Sequence, residues 1–246
     1  MIRASALRLL MLLALAAPAL ASAQTVDEVL DRHATAKGGL DRWRAVRSLT
    51  VSGTLTAFSE TGPFVVEWKR PDHYRFEQTL LGRKVVTATD GTAGWWVNPL
   101  AQVAEPAALP EEAMKFTKRD AEYESPLIDA KAKGNKVEFL GQGDVDGQPA
   151  LKLDVTRKDG SKETWYLDPK TYLEIARLDR KFDLGRENDR WTYYSDFRTV
   201  DGLVLPHHIE EEFSIRHVAT DLEKVQVNPE IDPARFKMPA KEQGAQ

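Results

Sequence analysis

The chain has 246 residues, 42% of them hydrophobic and 29% charged, the composition of a folded globular protein and not of a disordered or membrane-spanning one. Removal of an N-terminal export signal of 23 residues, which holds Arg3 and Arg8, leaves 223 residues with 32 Lys and Arg (34 less 2) against 38 Asp and Glu, a net charge of −6. This acidic balance argues against nucleic-acid binding, which requires a basic surface, and the absence of cysteine excludes disulfides, thiolate metal ligands, cysteine catalysis and a lipid-modified N-terminus.

The first 23 residues have the pattern of a secretory signal peptide. Arg3 and Arg8 form its positive end, the run from Leu9 to Leu20 is apolar, and Ala21-Ser22-Ala23 offers the small residues that signal peptidase accepts. The alternative, a membrane anchor, requires about 20 apolar residues, more than this run provides. We therefore expect residues 1–23 to be removed, and residues 24–246 to form a soluble, monomeric, single-domain protein of the periplasm.

The mature chain is predicted to begin with a helix over residues 25–36. Thr25 and Glu28 have capping-box spacing, so the hydroxyl and the carboxylate can each bond to a free amide of the first turn. Gly38 and Gly39 end the helix, because glycine adopts the left-handed cap conformation without a Cβ clash. A short helical turn through Trp43 is expected to follow.

From Leu49 onward the hydrophobic period changes to two, as in half-buried strands. Apolar residues alternate with threonine and serine over 49–57, and the pattern recurs at 64–68 and 151–155. Tight turns are marked by Asp-Gly pairs at 90–91, 146–147, 159–160 and 201–202. About eleven short strands with few helices between them predict a mainly β (α+β) fold, a half-open, strongly curved antiparallel β-barrel with covering helices.

The segment 99–134 interrupts the strand pattern. Pro110 and the two glutamates after it form a favourable helix start, with proline in the first turn and acids near the positive end of the helix dipole. Pro126 ends this helix, and a further turn is expected over 127–133. The helical segments 25–46 and 110–133 are therefore available to cover the concave face of the sheet.

Many aromatic residues fall on strand positions that are expected to face inward. A curved sheet must fill its concave face with its own side chains, with helices or with a ligand. Composition leaves two interpretations open: the aromatics pack as core under the helices, as buried aromatics usually do, or they line a cavity for an apolar ligand. The candidate lipid-binding residues are Phe64, Val66, Trp68, Phe76, Trp96, Met114, Phe116, Trp165, Trp191 and Tyr193.

Six segments resemble, in the same order, the exported LolA-like proteins of the outer-membrane lipoprotein-sorting superfamily. They are 36–53, 68–76, 146–156, 165–175, 194–206 and 236–239. The second of them reads Trp68-Lys-Arg-Pro-Asp-His-Tyr-Arg-Phe76. Each segment alone is mostly turn chemistry, but together they span essentially the whole mature chain. The resemblance implies a half-open β-barrel, closed by helices, whose apolar cavity holds lipid acyl chains in the periplasm.

The superfamily includes lipoprotein carriers, lipid-binding proteins and RseB-type stress sensors. We expect a carrier or chaperone that binds lipid acyl chains or lipoproteins for transport toward the outer membrane, with transient partner proteins at the inner and outer membranes. The alternative is an RseB-type regulatory protein that senses lipidated cargo, although such a sensor is expected to have a second domain. Residues 110–133 are predicted to form a lid whose Met114 and Phe116 fill the empty cavity until cargo displaces them.

Other chemistry has weaker support in the sequence. His208, Glu210 and Glu212 share one face of a strand and offer three zinc ligands, but an exposed polar edge explains the same pattern. Glu211 lies on the apolar face of that strand, where we expect it to pair with a cation at the cavity mouth. The chain has no Gly-x-Ser-x-Gly nucleophile motif, and an exported hydrolase with a convergent triad is a minor alternative. We therefore predict no catalytic residues, no metal and no cofactor.

Overall fold

The computed structural model describes residues 24–183 and 186–240, without the side chains of 182 and 183. The predicted signal peptide, residues 1–23, lies outside the described residues. Within the described ranges, no helix combines the length and the hydropathy needed to span a membrane.

Two short helices open the described chain, as the sequence predicts: α1 spans Val26–Ala36 and α2 spans Leu40–Ala45. The Thr25 hydroxyl accepts a hydrogen bond from the Glu28 amide, and the Glu28 carboxylate accepts one from the Thr25 amide, which confirms the capping box. Gly38 follows α1 at φ 103°, where an added Cβ would lie 2.0 Å from the carbonyl oxygen of Gly202. Glycine at this position therefore lets the end of α1 pack directly on the turn at 201–202.

The rest of the described chain forms thirteen strands, two further α-helices and two short 3-10 helices, Pro99–Ala101 and Pro233–Phe236. The first six strands are β1 (Ser48–Ala57), β2 (Glu60–Lys69), β3 (His73–Leu80), β4 (Arg83–Thr89), β5 (Gly94–Asn98) and β6 (Val103–Ala108). The helices α3 (Glu111–Asp120) and α4 (Ala130–Lys133) follow. The last seven strands are β7 (Lys136–Val145), β8 (Gln148–Thr156), β9 (Lys162–Leu167), β10 (Glu174–Asp183), β11 (Arg186–Val200), β12 (Leu203–Phe213) and β13 (Arg216–Val227). One strand beyond the predicted set, β6, lies inside the segment 99–134 that we expected to stand outside the sheet.

All thirteen strands belong to one antiparallel sheet in the order β6-β5-β4-β3-β2-β1-β13-β12-β11-β10-β9-β8-β7. The first and last strands, β1 and β13, pair in the middle, with Leu49 opposite Val227 and Ala57 opposite Val218. The outer strands β6 and β7 do not pair with each other, so the curved sheet stays open. The predicted half-open, mainly β architecture is therefore confirmed.

The connection between β6 and β7 must join the two opposite edges of the sheet. It does so across the concave face, because α3 contacts β3 and β4 on one half of the sheet and β10 on the other. Glu111 and Glu112 lie in the first turn of α3, as the sequence predicts, whereas Pro110 is the N-cap residue just before that turn and not part of it. The position of α3 above the concave face thus follows from the topology.

The two halves of the sheet are filled differently. Over β8 and β9, Val29 of α1 and Leu127 pack against a buried cluster that includes Leu153, Trp165 and Leu167. A second buried cluster lies over β1–β3. In the described part of the chain, its one buried member that does not belong to a strand is Ala121, at the end of α3. Since α1 fills one half of the concave face and α3 merely bridges the other, space is left between α3 and the sheet.

Candidate functional site

A cavity of about 620 Å³ lies between the concave face of the sheet and α3. Its lining comes from β1–β5 on one side, from β9–β13 on the other, and from α3 and residues 120–126 above. Ligand pockets usually have volumes of about 300–1,000 Å³, so the cavity has the size of a binding site. The part of the lining from β1–β5 and the part from β10 and β11 differ in chemistry.

The strands β1–β5 form an apolar wall. The residues of β1–β5 that line the cavity lie at alternate positions along each strand, because successive side chains of a strand point to opposite faces of the sheet. Neighbouring strands bring the rings of Phe64 and Phe76 to 6.3 Å and those of Trp68 and Tyr74 to 6.0 Å between centroids. The side chains of this wall are Leu49, Val51, Leu55, Ala57, Phe64, Val66, Trp68, Tyr74, Phe76, Gln78, Leu80, Val85, Thr87 and Trp96.

Helix α3 and the residues after it form the cover. Phe116 of α3 lines the cavity and is buried. Trp68 Nε1 donates a hydrogen bond to the Asp120 carbonyl oxygen at 2.8 Å, and the Tyr123 hydroxyl donates one to the Val46 carbonyl oxygen at 2.9 Å. The C-terminal end of the cover is therefore tied by hydrogen bonds to β2 and to the end of α2.

The strands β10 and β11, with Glu211 of β12, form an ionic wall. Arg190 donates two hydrogen bonds to Asp179, at 2.8 Å and 2.6 Å, and a third from Nη1 to Glu211 Oε1 at 2.8 Å. Burial by itself raises the pKa of Asp179, but Arg177 and Arg190 outweigh it and lower the pKa to about 2. Glu211 thus has the cationic partner that its place on the apolar face predicts.

A second buried ion pair lies where α1 meets β10. Lys37 Nζ is 3.0 Å from Glu174 Oε2, and both side chains are 5% exposed. His33 Nε2 lies 3.7 Å from the other oxygen of Glu174, and burial lowers the pKa of His33 even though Glu174 opposes it. Separation of such pairs leaves a buried charge uncompensated, so this cluster holds α1 against the ionic wall.

Seven of the ten candidate lipid-binding residues line the cavity. They are Phe64, Val66, Trp68, Phe76 and Trp96 on the apolar wall, Phe116 on α3, and Trp165 on β9. Met114 lies on α3, but its side chain packs beside the start of β5, where a Cβ added to Gly94 would lie 2.6 Å from the sulfur. The cavity lining does not include Met114.

The inward orientation predicted for Trp191 and Tyr193 is wrong. Strand β11 presents Arg190, Thr192 and Tyr194 to the cavity. Trp191 and Tyr193 instead pack on the other face of the sheet, with ring centroids 6.1 Å apart, beside a cluster that contains Tyr166 and Ala176. A shift of one residue exchanges the two faces of a strand, and the prediction failed because it placed the more apolar face of β11 inward.

The sequence analysis missed the ionic wall apart from Glu211. Its inward side chains Arg177, Asp179 and Arg190 look like the exposed charges of any half-buried strand. The apolar lining residues Leu49, Val51 and Leu55 had a clear signal in the alternation of β1, although they were not among the candidates. These charges are recognisable as an inward-facing pair only once the register of β10 and β11 is known, because that register places Asp179 opposite Arg190.

The histidine and glutamate cluster of β12 forms a polar ladder with β13. His208 lies 2.6 Å from an Asp221 oxygen through Nδ1 and 2.9 Å from a Glu210 oxygen through Nε2. His217 Nε2 is 3.2 Å from the other oxygen of Glu210. Among the described residues, no group of three His, Asp or Glu side chains is arranged to hold a metal ion.

Comparisons with known proteins agree with this geometry at the level of the fold. No family model and no curated protein matches the sequence. A DUF1329 family protein from Desulfovibrio piger has a TM-score of 0.57 at 13% identity, with 86% of this chain and 97% of its own covered. A LolA superfamily protein from Nitrosomonas europaea has a TM-score of 0.54 at 14% identity, over 87% and 98% of the two chains. An outer membrane lipoprotein-sorting protein domain from Vibrio parahaemolyticus has a TM-score of 0.52 at 10% identity, over 85% and 94%. The chain therefore shares its fold with these proteins, one of them a LolA superfamily protein, as the resemblance of its six sequence segments implies.

Proposed function

We propose that this protein is a periplasmic carrier or chaperone that binds lipid acyl chains, free or attached to lipoproteins, and moves them toward the outer membrane. The observation that carries the proposal is the apolar wall of β1–β5, which borders open space under α3. The fold shared with a LolA superfamily protein and a lipoprotein-sorting domain supports it. The proposal includes export directed by residues 1–23 and a single domain over 24–246.

The energy of acyl-chain burial requires a means of release. Burial of one CH₂ is worth about 0.8 kcal/mol, so a chain of about 15 methylenes contributes on the order of 12 kcal/mol. Three such chains exceed the ceiling of roughly 20 kcal/mol for non-covalent binding. We propose that the cover lowers the net binding energy of the cargo. Phe116 occupies cavity space when no cargo is bound and is displaced when cargo enters.

Native mass spectrometry of protein purified without detergent from its own periplasm tests the binding proposal. We expect wild-type protein to carry acylated species and the cavity-filling variant Leu55→Trp to carry much less. Thr54→Trp is the matched control, because Thr54 is the neighbouring β1 residue and is absent from the cavity lining. Wild-type protein that is empty and shows esterase turnover, or a Leu55→Trp variant that carries as much lipid as wild type, contradicts the proposal.

Hydrogen exchange over residues 107–133, with and without bound lipid, tests the role of the cover. If cargo displaces Phe116, amide protection of α3 changes on loading while that of β8 and β9, which lie under α1, stays constant. Equal protection of α3 in both states removes the lid from the proposal. Transfer of a fluorescent lipid from the loaded protein to acceptor vesicles then separates a carrier, which releases its cargo, from a sensor, which retains it.

A further inference from the structure

One cation of the ionic wall has only long polar contacts to the described residues. Arg177 of β10 lines the cavity, and its Nε is a buried donor with no hydrogen-bond partner among the described residues. The nearest carboxylate oxygen, Oδ2 of Asp179, is 3.7 Å from that nitrogen. The Nη2 atom has a long contact of 3.4 Å to Thr192 Oγ1. A buried guanidinium without full hydrogen bonding is costly, so its persistence here requires an explanation.

Two carboxylates whose charges act on Arg177, those of Asp179 and Glu163, are hydrogen-bonded to other donors. Both oxygens of Asp179 accept hydrogen bonds from Arg190. Glu163 accepts one hydrogen bond from Arg157 and another from Trp165 Nε1, the latter at 2.8 Å. The anions beside Arg177 are therefore already hydrogen-bonded to other donors, and among the described residues its Nε has no acceptor within hydrogen-bond distance.

The surroundings of Arg177 have the form of a small polar subsite. The Trp165 ring centroid lies 5.4 Å from the guanidinium carbon and forms one side. Thr192 lines the cavity on the neighbouring strand, and its hydroxyl, which accepts from Arg177, still has a hydrogen to donate. The side chain of Arg177 is 17% exposed although its Nε is buried, so the exposed part of the side chain is what a group inside the cavity can reach.

We infer that Arg177, with the hydroxyl of Thr192, binds the anionic headgroup oxygens of an amphiphile whose acyl chain lies against the apolar wall of β1–β5. A carboxylate or a phosphate fits, because a guanidinium presents parallel donors that match two oxygens of either group. The inference rests on the proposed function and adds the class of cargo to it: anionic amphiphiles are preferred to uncharged ones. The two walls thereby bind the two ends of one molecule.

Binding of three lipids of equal chain length to delipidated protein tests the inference. The probes are dodecanoate, dodecyl phosphate and uncharged monododecanoylglycerol, and inorganic phosphate alone serves to detect binding of a free anion. A hydrogen bond to a charged group contributes enough that we expect wild-type protein to bind both anionic amphiphiles at least about tenfold more tightly than monododecanoylglycerol. Tight binding of inorganic phosphate alone instead identifies a free-anion site and overturns the headgroup assignment.

The variant Arg177→Gln locates the preference. We expect it to lose the advantage of the anionic lipids while its affinity for monododecanoylglycerol stays within about twofold of wild type, since the apolar wall is unchanged. Arg180→Gln, on the same strand and outside the cavity lining, is the control and keeps the wild-type preference. Retention of the preference in Arg177→Gln, or its absence from wild-type protein, overturns the inference and leaves the proposed function standing.

The remaining outcomes are also decisive. If no amphiphile of any charge binds wild-type protein, the proposed function fails and the headgroup subsite fails with it. If Arg177→Gln does not fold, the comparison of anionic and uncharged lipids on wild-type protein still decides the preference. In that case Arg177→Lys takes the place of Arg177→Gln. Lysine keeps the charge but lacks the parallel donors, so this variant is expected to retain only part of the preference for anionic lipids.

Discussion

The two walls of the cavity are built from the same kind of antiparallel strand but carry opposite chemistry. On the wall of β1–β5, aliphatic and aromatic side chains such as Phe64 and Val66 border open space. On the wall of β10 and β11, Arg190 and Asp179 are nearly buried and bonded to each other, with side chains 8% and 3% exposed. Apolar groups can face a void without losing hydrogen bonds, whereas charged groups require partners. The comparison shows why one wall can remain available to a ligand while the other must be largely satisfied from within.

The difference also separates stability from binding. Residues of the ionic wall hold strands together, so their replacement is expected to lower the free energy of unfolding. Residues of the apolar wall border the cavity, so their replacement is expected to affect binding directly, and the partly buried ones such as Leu55 are expected to affect folding less. Four predictions test this division.

The largest effect is expected from Arg190→Met. The substitution leaves Asp179 and Glu211 without their shared cation, and removal of one partner from a buried ion pair costs about 3–5 kcal/mol. Urea unfolding measures this change. The control is Arg198→Met. Arg198 pairs with Asp196 at the surface, where the two side chains are 58% and 45% exposed, so this substitution is expected to change the free energy of unfolding by less than about 1 kcal/mol. Similar losses in the two variants contradict the proposed role of the ionic wall.

A comparison of two leucines distinguishes core from cavity lining. Leu153 is fully buried in the cluster under α1, so Leu153→Ala is expected to lower the free energy of unfolding by about 2–4 kcal/mol. Leu55 is partly buried and borders the cavity, so Leu55→Ala is expected to lose less than about 1.5 kcal/mol. Equal losses, measured by urea unfolding, are evidence that Leu55 lies in a filled core.

Acid is expected to weaken the ionic wall specifically. Because the pKa of Asp179 in the folded protein is about 2, below its ordinary value of 3.8, its stabilisation is complete above about pH 4 and is lost as the pH falls through 2. This difference between the two pKa values corresponds to about 2 kcal/mol in the free energy of unfolding. Unfolding free energies from pH 5 to pH 2 are expected to fall less steeply in Asp179→Asn than in wild type. Asp154→Asn, at an exposed strand position, is the control, and identical slopes for Asp179→Asn and wild type refute the assignment.

The smallest effect is expected where the apolar wall meets the cover. Trp68→Phe removes the hydrogen bond to the Asp120 carbonyl oxygen, which contributes about 1 kcal/mol, and is expected to speed hydrogen exchange at the C-terminal end of α3. Trp96→Phe, the same truncation at another indole of the apolar wall, is the matched control. Unchanged exchange in Trp68→Phe shows that this bond does not hold the cover.

Much of the fold was predictable because its signals are local. The capping box of Thr25 and Glu28, the helix start at Pro110 and the alternation of β1 depend on residues close together in the chain. The turns at Asp146-Gly147 and Asp201-Gly202 have the positive φ angles expected of such pairs. The strand β6 was missed because its sequence, with Glu105 and Pro106, lacks a clean alternation, and an edge strand tolerates proline.

The candidate site was predictable where one face of a strand is apolar and the other polar. This holds for Phe64, Val66 and Trp68 on β2, and it fails on β11, where Trp191 and Tyr193 are more apolar than the inward residues. The position of Met114 depends on the close approach of α3 to Gly94, a contact between distant segments. No property of the neighbouring residues in the chain indicates such a contact.

The amino-acid sequence by itself determined the kinds of element in this protein, because capping, turn chemistry and a hydrophobic period of two act within a few residues. It also determined that a curved antiparallel sheet with few helices would have a concave face to fill. Only the tertiary structure decided which face of each strand turns inward and which charges meet there. Those choices depend on pairing between strands far apart in the chain, where Arg190, Asp179 and Glu211 satisfy one another and Arg177 is left facing the cavity.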